Sequence, residues 1–214
     1  MQGFNRYSYC LNNPLKYVDP SGERWTDVID DYFNQYGKYL GSDLAETDNI
    51  RIIKQETWDK YGANISYTGK DGSTIISSDA ANIISRVVSE SNLSDINALN
   101  IYKHYNSGDY KSDYKLVSDN GDFNMQTQQR SETIAINLAK NKQQKISDHF
   151  NEIKNLFSHE NQHVLDFKSN FKGNINEWEQ RAVKTQMTDP TFPNTRSVFQ
   201  ESVKKYGIKF GMIF

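Results

Sequence analysis

The stretch SDHFNEIKNLFSHENQHVLDFK, residues 147–168, decides how the chain is read. At about 100° per residue, Phe150, Ile153, Leu156, Phe157, Val164 and Phe167 fall in one stripe, the spacing of a helix that packs against a core. Ser147 or Asp148 can cap its first turn, and the helix is expected to run to about Asn170. Within it, His159-Glu160-Asn161-Gln162-His163 sets two imidazoles four positions apart on one face, where both can reach a single Zn²⁺. Glu160 stands beside them, able to take a proton from an activated water. It also projects into the apolar stripe, so its carboxylate should be buried. Burying an ionised carboxylate without a partner is costly, so the position implies a cation or a polar cleft opposite it. Composition alone would yield this pattern in on the order of a few in a thousand shuffles, which makes chance a poor explanation.

Two histidines do not complete a catalytic zinc site, which takes three protein ligands and keeps a fourth position for water. The His-x-x-Gly-x-x-His continuation of one zinc-peptidase clan is absent, because Asp166 and Ser169 stand where Gly and His would be required. A carboxylate from the following helix remains, and Glu177 and Glu179 both lie there, beyond the break at Gly173. Asn174 can cap that helix with Glu177 at its third position, which would turn Glu177 back to the backbone. Glu179 shares a face with Ala182, Val183 and Gln186. Moreover, Glu179-Gln180-Arg181-Ala182 resembles the Glu-x-x-Ala arrangement that supplies the glutamate ligand in many toxin-associated gluzincin-like peptidases. The resemblance implies a zincin-like metallopeptidase in which His159, His163 and Glu179 bind Zn²⁺, Glu160 is the catalytic base, and the substrate is a protein or peptide. Glu177 is the alternative third ligand.

The other histidines have plainer readings. His149 lies roughly 15 Å along the same helix at 1.5 Å per residue, so it cannot share the metal and is expected in the first turn or at the core edge. His104 is expected on the surface, with a transition-state hydrogen-bond donor as the alternative. Tyr105, Tyr110 and Tyr206 are undecided candidates for the same donor role. Asp166 could orient His163 or another group supporting the ligands, or simply face solvent. Cys10 is the single cysteine, which excludes an intramolecular disulfide and a cysteine metal cluster.

A chain of 214 residues suits one domain, or one domain with a short appendage. Twenty-five basic against 27 acidic side chains give a net charge of −2 and no basic field to neutralise phosphates, so nucleic acid is a poor candidate for partner. An aromatic content of 13% against a mean hydropathy of −0.80 describes a polar chain with enough large anchors to fold. There is no run of about 18 apolar residues and no apolar signal core at the N-terminus, so the chain is expected neither to span a membrane nor to carry its own export signal.

Residues 1–22 differ from the rest, stringing turn formers between short aromatic stretches. Asn5-Arg6-Tyr7, Tyr9, Asn12-Asn13-Pro14-Leu15 and Asp19-Pro20-Ser21-Gly22 resemble, in order and spacing, the close of the core domain of Rhs-type repeat proteins. The match covers about a tenth of the chain. It implies a core remnant at 1–22 followed by a toxin domain at 23–214, secreted or delivered to a neighbouring cell within a larger protein and countered by a cognate immunity protein. Two other readings compete with the peptidase: a non-catalytic adhesive or binding tip, and a toxin of another class, such as a nuclease using one histidine as base.

The fold expected is α+β, mostly helical, with a small antiparallel sheet before the metal-binding helix. Val28, Ile29, Tyr32, Phe33 and Tyr36 have helical spacing over Thr26–Tyr36, with Gly37 as a stop. Ile52–Tyr67 is ambiguous and Ser94–Tyr110 gives no firm assignment. Ile65–Thr68 and Thr74–Ile76 flank a Gly-rich turn as a hairpin would, as do Tyr114–Val117 and Phe123–Gln126 around Asp119-Asn120-Gly121-Asp122. Asp79 can cap a helix through Val88. Thr133–Leu138 alternates like a half-buried strand and is the best candidate for an edge strand that grips an extended peptide, with an interior strand that meets no substrate as the equal alternative. Helices are expected from Asn174 through Met187 and from Thr195 to Tyr206 with Gly207 after it, and Ile208–Phe214 should pack back on the body.

Overall fold

Among the described residues, short strands and two helices share the part of the chain before residue 107, and helices predominate after residue 137. A computed structural model describes residues 30–43, 47–61, 66–68, 74–76, 93–106 and 113–214. In chain order the elements are β1 (Asp31–Asn34), β2 (Tyr39–Ser42), β3 (Ile50–Ile53), α1 (Gln55–Tyr61), β4 (Ser66–Thr68), β5 (Thr74–Ile76) and α2 (Asp95–Asn106). They continue as β6 (Lys115–Ser118), β7 (Met125–Gln128), β8 (Thr133–Ile136), α3 (Leu138–Gln143), α4 (Phe150–Lys168), α5 (Ile175–Thr188) and α6 (Ser197–Lys209). The class is α+β. One sheet has the order β3-β1-β2-β5-β4 and the other β6-β8-β7. Among the described residues no helix is long and apolar enough to cross a membrane. The Rhs-like segment 1–22, the helix expected from Asp79 to Val88, and Tyr110 lie outside the described residues.

The long helix α4 forms where the apolar stripe placed it. Phe150, Ile153, Phe157 and Val164 are buried in the core, with Leu156 packed at its margin. His149 has extended dihedrals at the N-cap, and its Nδ1 lies 2.7 Å from Asp48 Oδ1, the core-edge role expected of it. Near the start of α4, Glu152 is fully buried, and Arg196, just before α6, meets it with Nε and Nη2 at 2.6 and 2.7 Å. This two-pronged ion pair ties the last helix to the first turn of α4.

Three expectations about strands are corrected. Residues 31–34 form β1 rather than part of a helix, and all four are buried. Antiparallel pairing to β2 and parallel pairing to β3 satisfy the backbone of Tyr32 and Phe33, aromatic residues that suit a buried sheet better than a lone helix. Gly37 does end an element, but as a turn: its φ is +73°, Asn34 Oδ1 accepts from the Tyr36 and Lys38 amides, and an added Cβ would meet Asn97 O at 2.1 Å. Asn97 and Asn100 of α2 clasp the same turn through the Gln35 and Tyr36 carbonyls.

The second correction concerns the turn at Asp119–Asp122. It is present, with Gly121 N donating to Asp119 Oδ1 at 2.8 Å, but the strands on either side do not pair with each other. β8 lies between them, parallel to β6 and antiparallel to β7. Third, β8 is therefore a central strand and not an edge, so it has no free main-chain groups for a peptide. Ile134, Ala135 and Ile136 are all 0% exposed, so neither face of the strand sees solvent. The 66–68/74–76 hairpin pairs antiparallel as expected.

The remaining helices follow local rules. α5 begins with the capping box anticipated at Asn174: the Asn174 side chain accepts from Glu177 N, and Glu177 Oε2 accepts from Asn174 N at 2.7 Å. α6 continues through Gly207, where a stop was expected, to Lys209, and Gly207 faces the tips of the Phe214 and Met212 side chains. Of the apolar tail, Met212 packs on the core while Ile213 is exposed.

Candidate metal centre

Two helices build the site. His159 and His163 occupy one face of α4, and α5 returns antiparallel across it after the turn at Gly173, presenting Glu179 on the face that also carries buried Ala182, Val183 and Gln186. The three side chains converge. The two Nε2 atoms are 3.2 Å apart, and Glu179 Oε2 lies 3.4 Å from His159 Nε2 and 3.6 Å from His163 Nε2. Among the described residues this is the cluster of His, Cys, Asp or Glu side chains that could hold a metal ion. Glu177 is not part of it, since its carboxylate is committed to the capping box.

Each ligand candidate is held from behind. His159 Nδ1 is 3.2 Å from the Gln186 carbonyl oxygen, Oε1. A carbonyl can only accept, so Nδ1 carries a proton, and Nε2 is the ring atom turned toward His163 Nε2 and Glu179 Oε2. Gln186 is itself fixed, its backbone carbonyl accepting from Asn155 Nδ2 at 2.9 Å. His163 is supported by the Trp178 ring, stacked at 24° with centroids 6.4 Å apart, and Trp178 Nε1 donates to Gly173 O. His163 Nδ1 is buried without a hydrogen bond among the described residues. Tyr206, from α6, donates to Glu179 Oε2 at 3.1 Å and lays its ring against His159.

These contacts set the charge of the site. Burial works to raise the Glu179 carboxyl, but the facing imidazoles of His159 and His163 overcome it and hold the group well below the usual carboxylate range. For His163 burial works downward, and Glu179, Glu160 and Asp166 outweigh it, leaving the imidazole above its ordinary value. Burial and the neighbouring Glu179 carboxylate both push the Tyr206 hydroxyl up, so it stays a donor across the working pH range.

Glu160 is 5% exposed, as its place in the stripe required. Its partner is Thr127 of β7, whose amide and hydroxyl lie 2.7 and 2.8 Å from Oε2. Asp166 does not orient His163. It is bound by Arg181 Nε and Nη2 and by Gln162 Nε2, an ion pair that instead fastens α4 to α5. His104 is not a surface residue: it is half-buried and stacked on Tyr39 at 4.4 Å, against Phe33 and Tyr105, and burial lowers its pKa. Tyr105 gives its hydroxyl to Asp31.

The donor set and its spacing fit a zinc ion. Bonds of about 2.0–2.1 Å at tetrahedral angles set neighbouring ligand atoms roughly 3.3–3.4 Å apart, and the three distances here, 3.2, 3.4 and 3.6 Å, lie on either side of that value. The convergence of His159, His163 and Glu179 was legible from motif and spacing. Thr127, Gln186, Trp178 and Tyr206 were not recognised in these roles, because only Gln186 and Trp178 share a helix with a candidate ligand and nothing in the sequence pairs the others with the site. The Glu179 assignment makes a prediction: Glu179→Ala should weaken zinc binding by more than about a hundredfold, beyond the loss expected for a residue that only supports a ligand, whereas Glu177→Ala should leave it unchanged and cost only a helix cap. Zinc titration against a competing chelator distinguishes them, and the opposite ranking would move the third ligand to Glu177.

No protein-family profile, no curated protein and no solved structure matches this chain.

Proposed function

We propose that residues 23–214 form a zinc-dependent endopeptidase, the toxin domain of an Rhs-type protein. The observation that supports the chemistry most directly is the convergence of His159 Nε2, His163 Nε2 and Glu179 Oε2 within 3.6 Å of one another, beside a buried glutamate on the same helix. His159, His163 and Glu179 would hold the ion, which when bound supplies a Lewis acid that polarises the scissile carbonyl and acidifies water. Glu160 accepts a proton from the attacking water as the water oxygen bonds to the carbonyl carbon. As the C–N bond breaks, Glu160 returns that proton to the departing nitrogen, so carboxylate and amine are both regenerated. Tyr206 steadies Glu179, and Gln186 keeps His159 in the tautomer that can donate its lone pair.

The Rhs-like residues 1–22 support the biological half of the reading, including an immunity protein that would bind residues 23–214. The test is bacterial growth under expression of the wild-type domain and of Glu160→Gln, each in the cytoplasm and with an added export signal, alongside incubation of the purified protein with casein and with nucleic acid. The reading expects wild-type toxicity in at least one compartment, relief by Glu160→Gln, and chelator-sensitive digestion of casein. Equal toxicity of both forms would sink the proteolytic account. Degradation of nucleic acid instead of protein would favour the nuclease, and harmlessness without any digestion would favour an adhesive tip.

A further inference from the structure

The peptidase reading makes Glu160 the base, and the contacts around it, on which the following rests together with that reading, concern how the base is aimed. Among the described residues β7 is an outer strand of its sheet, paired on one side with β8. Asn137 N donates to Asn124 O, which turns Asn124, Gln126 and Gln128 toward β8, and so turns the main-chain groups of the intervening Thr127 outward. An outward amide on an outer strand ordinarily meets solvent or another chain. Here Thr127 N donates to Glu160 Oε2 at 2.7 Å, while Thr127 Oγ1 lies 2.8 Å from the same oxygen and 3.0 Å from the Glu160 backbone carbonyl. The main-chain donor and the side-chain donor of one residue therefore converge on one carboxylate oxygen. Oε1 has no hydrogen bond among the described residues.

We infer that Thr127 is a positioning residue for the base: its amide and hydroxyl pin Glu160 Oε2, so that Oε1 is the oxygen that receives the proton of the attacking water. The physical reason is rotational. A carboxylate terminus has a broad, soft torsion, and an unrestrained one spreads its lone pairs over many directions. Two donors fixed by a strand and bonded to one oxygen remove that freedom, and proton transfer requires an acceptor held within about 2.6–3.2 Å of its partner. The tether also survives the step, because protonation of Oε1 leaves Oε2 accepting from Thr127. In the same stroke Thr127 withdraws its own amide from any extended chain lying along β7.

The test compares wild-type protein with Thr127→Val, which removes the hydroxyl at nearly constant shape and keeps the amide, and Thr127→Ser, which restores the hydroxyl. Steady-state hydrolysis of a casein-derived peptide, zinc content and thermal midpoint are measured on each. The expected result is a kcat lowered about tenfold or more in Thr127→Val with KM and zinc content unchanged, and recovery in Thr127→Ser to within a few-fold of wild type. A second measurement needs neither zinc nor turnover: in metal-free protein the Thr127 amide proton should resonate downfield and exchange slowly, and it should move upfield in Glu160→Gln. An unchanged kcat in Thr127→Val, a loss confined to KM, or failure of Thr127→Ser to recover would overturn the positioning role while leaving an active wild type as a peptidase. If Thr127→Val fails to fold, a Thr127 amide unmoved by Glu160→Gln overturns it equally. A wild type that cleaves nothing, with zinc bound, overturns the peptidase reading and this role together.

Discussion

Glu160→Gln is expected to lower kcat for peptide hydrolysis by about 10²–10⁴ while the protein keeps its zinc and its fold. The side chain stays the same size and its amide oxygen can still accept from Thr127, so the β7–α4 contact is kept. What is removed is the capacity to take a proton. Glu160 is absent from the ligand cluster, so the metal should remain on His159, His163 and Glu179. Kinetics with a fluorogenic peptide mixture and elemental analysis of the same preparation check both halves. Activity within a few-fold of wild type would show that another group is the base. Loss of zinc along with activity would show that Glu160 belongs to the ligand set.

Arg196→Ala should produce the largest loss of stability from a single surface-accessible side chain, about 3–5 kcal/mol. Glu152 is 0% exposed and receives both prongs of the Arg196 guanidinium, at 2.6 and 2.7 Å, with Arg196 N adding a contact at 3.3 Å. Removing the arginine leaves a carboxylate inside the core with most of its partners gone, and a charge in that position must be neutralised or hydrated by opening the packing around it. Against a total stability of about 5–15 kcal/mol, this is enough to put much of the chain near its unfolding threshold. Arg196 also donates to Gln144 O, so the loop before α4 loosens with it. Urea denaturation provides the measurement, and pairing Arg196→Met with Glu152→Met should recover most of the loss, because an apolar pair of similar volume leaves no buried charge. A change below about 1 kcal/mol in Arg196→Ala would mean that the pair contributes no more than an exposed one.

The part of the site written in local spacing was legible in the sequence. The α4 stripe, the two histidines four positions apart, the Asn174–Glu177 capping box and the Glu179 face of α5 all depend on residues within a few turns of one another, where helix geometry fixes direction. The burial of Glu160 followed from the same stripe. Its partner did not, because Thr127 stands 33 positions away on a strand whose place in the sheet depends on which strands pair. That is also why the turn at Asp119–Asp122 was read correctly and its strands were not: a turn reverses the chain, but the apolar Ile134-Ala135-Ile136 segment takes the central position against β6 and β7. β1 shows the opposite failure. Tyr32, Phe33 and Tyr36 satisfy a helical period over so short a stretch that pairing to β2 and β3 decides the outcome.

Two histidines and Glu179 are proposed to form a zinc site, and elemental analysis of the purified native protein reads its occupancy without relying on activity. The account predicts about one zinc per chain, removed by a strong chelator, restored on adding zinc, and absent from His159→Ala and His163→Ala. Native protein that takes up no zinc, or full occupancy in either histidine variant, would contradict it.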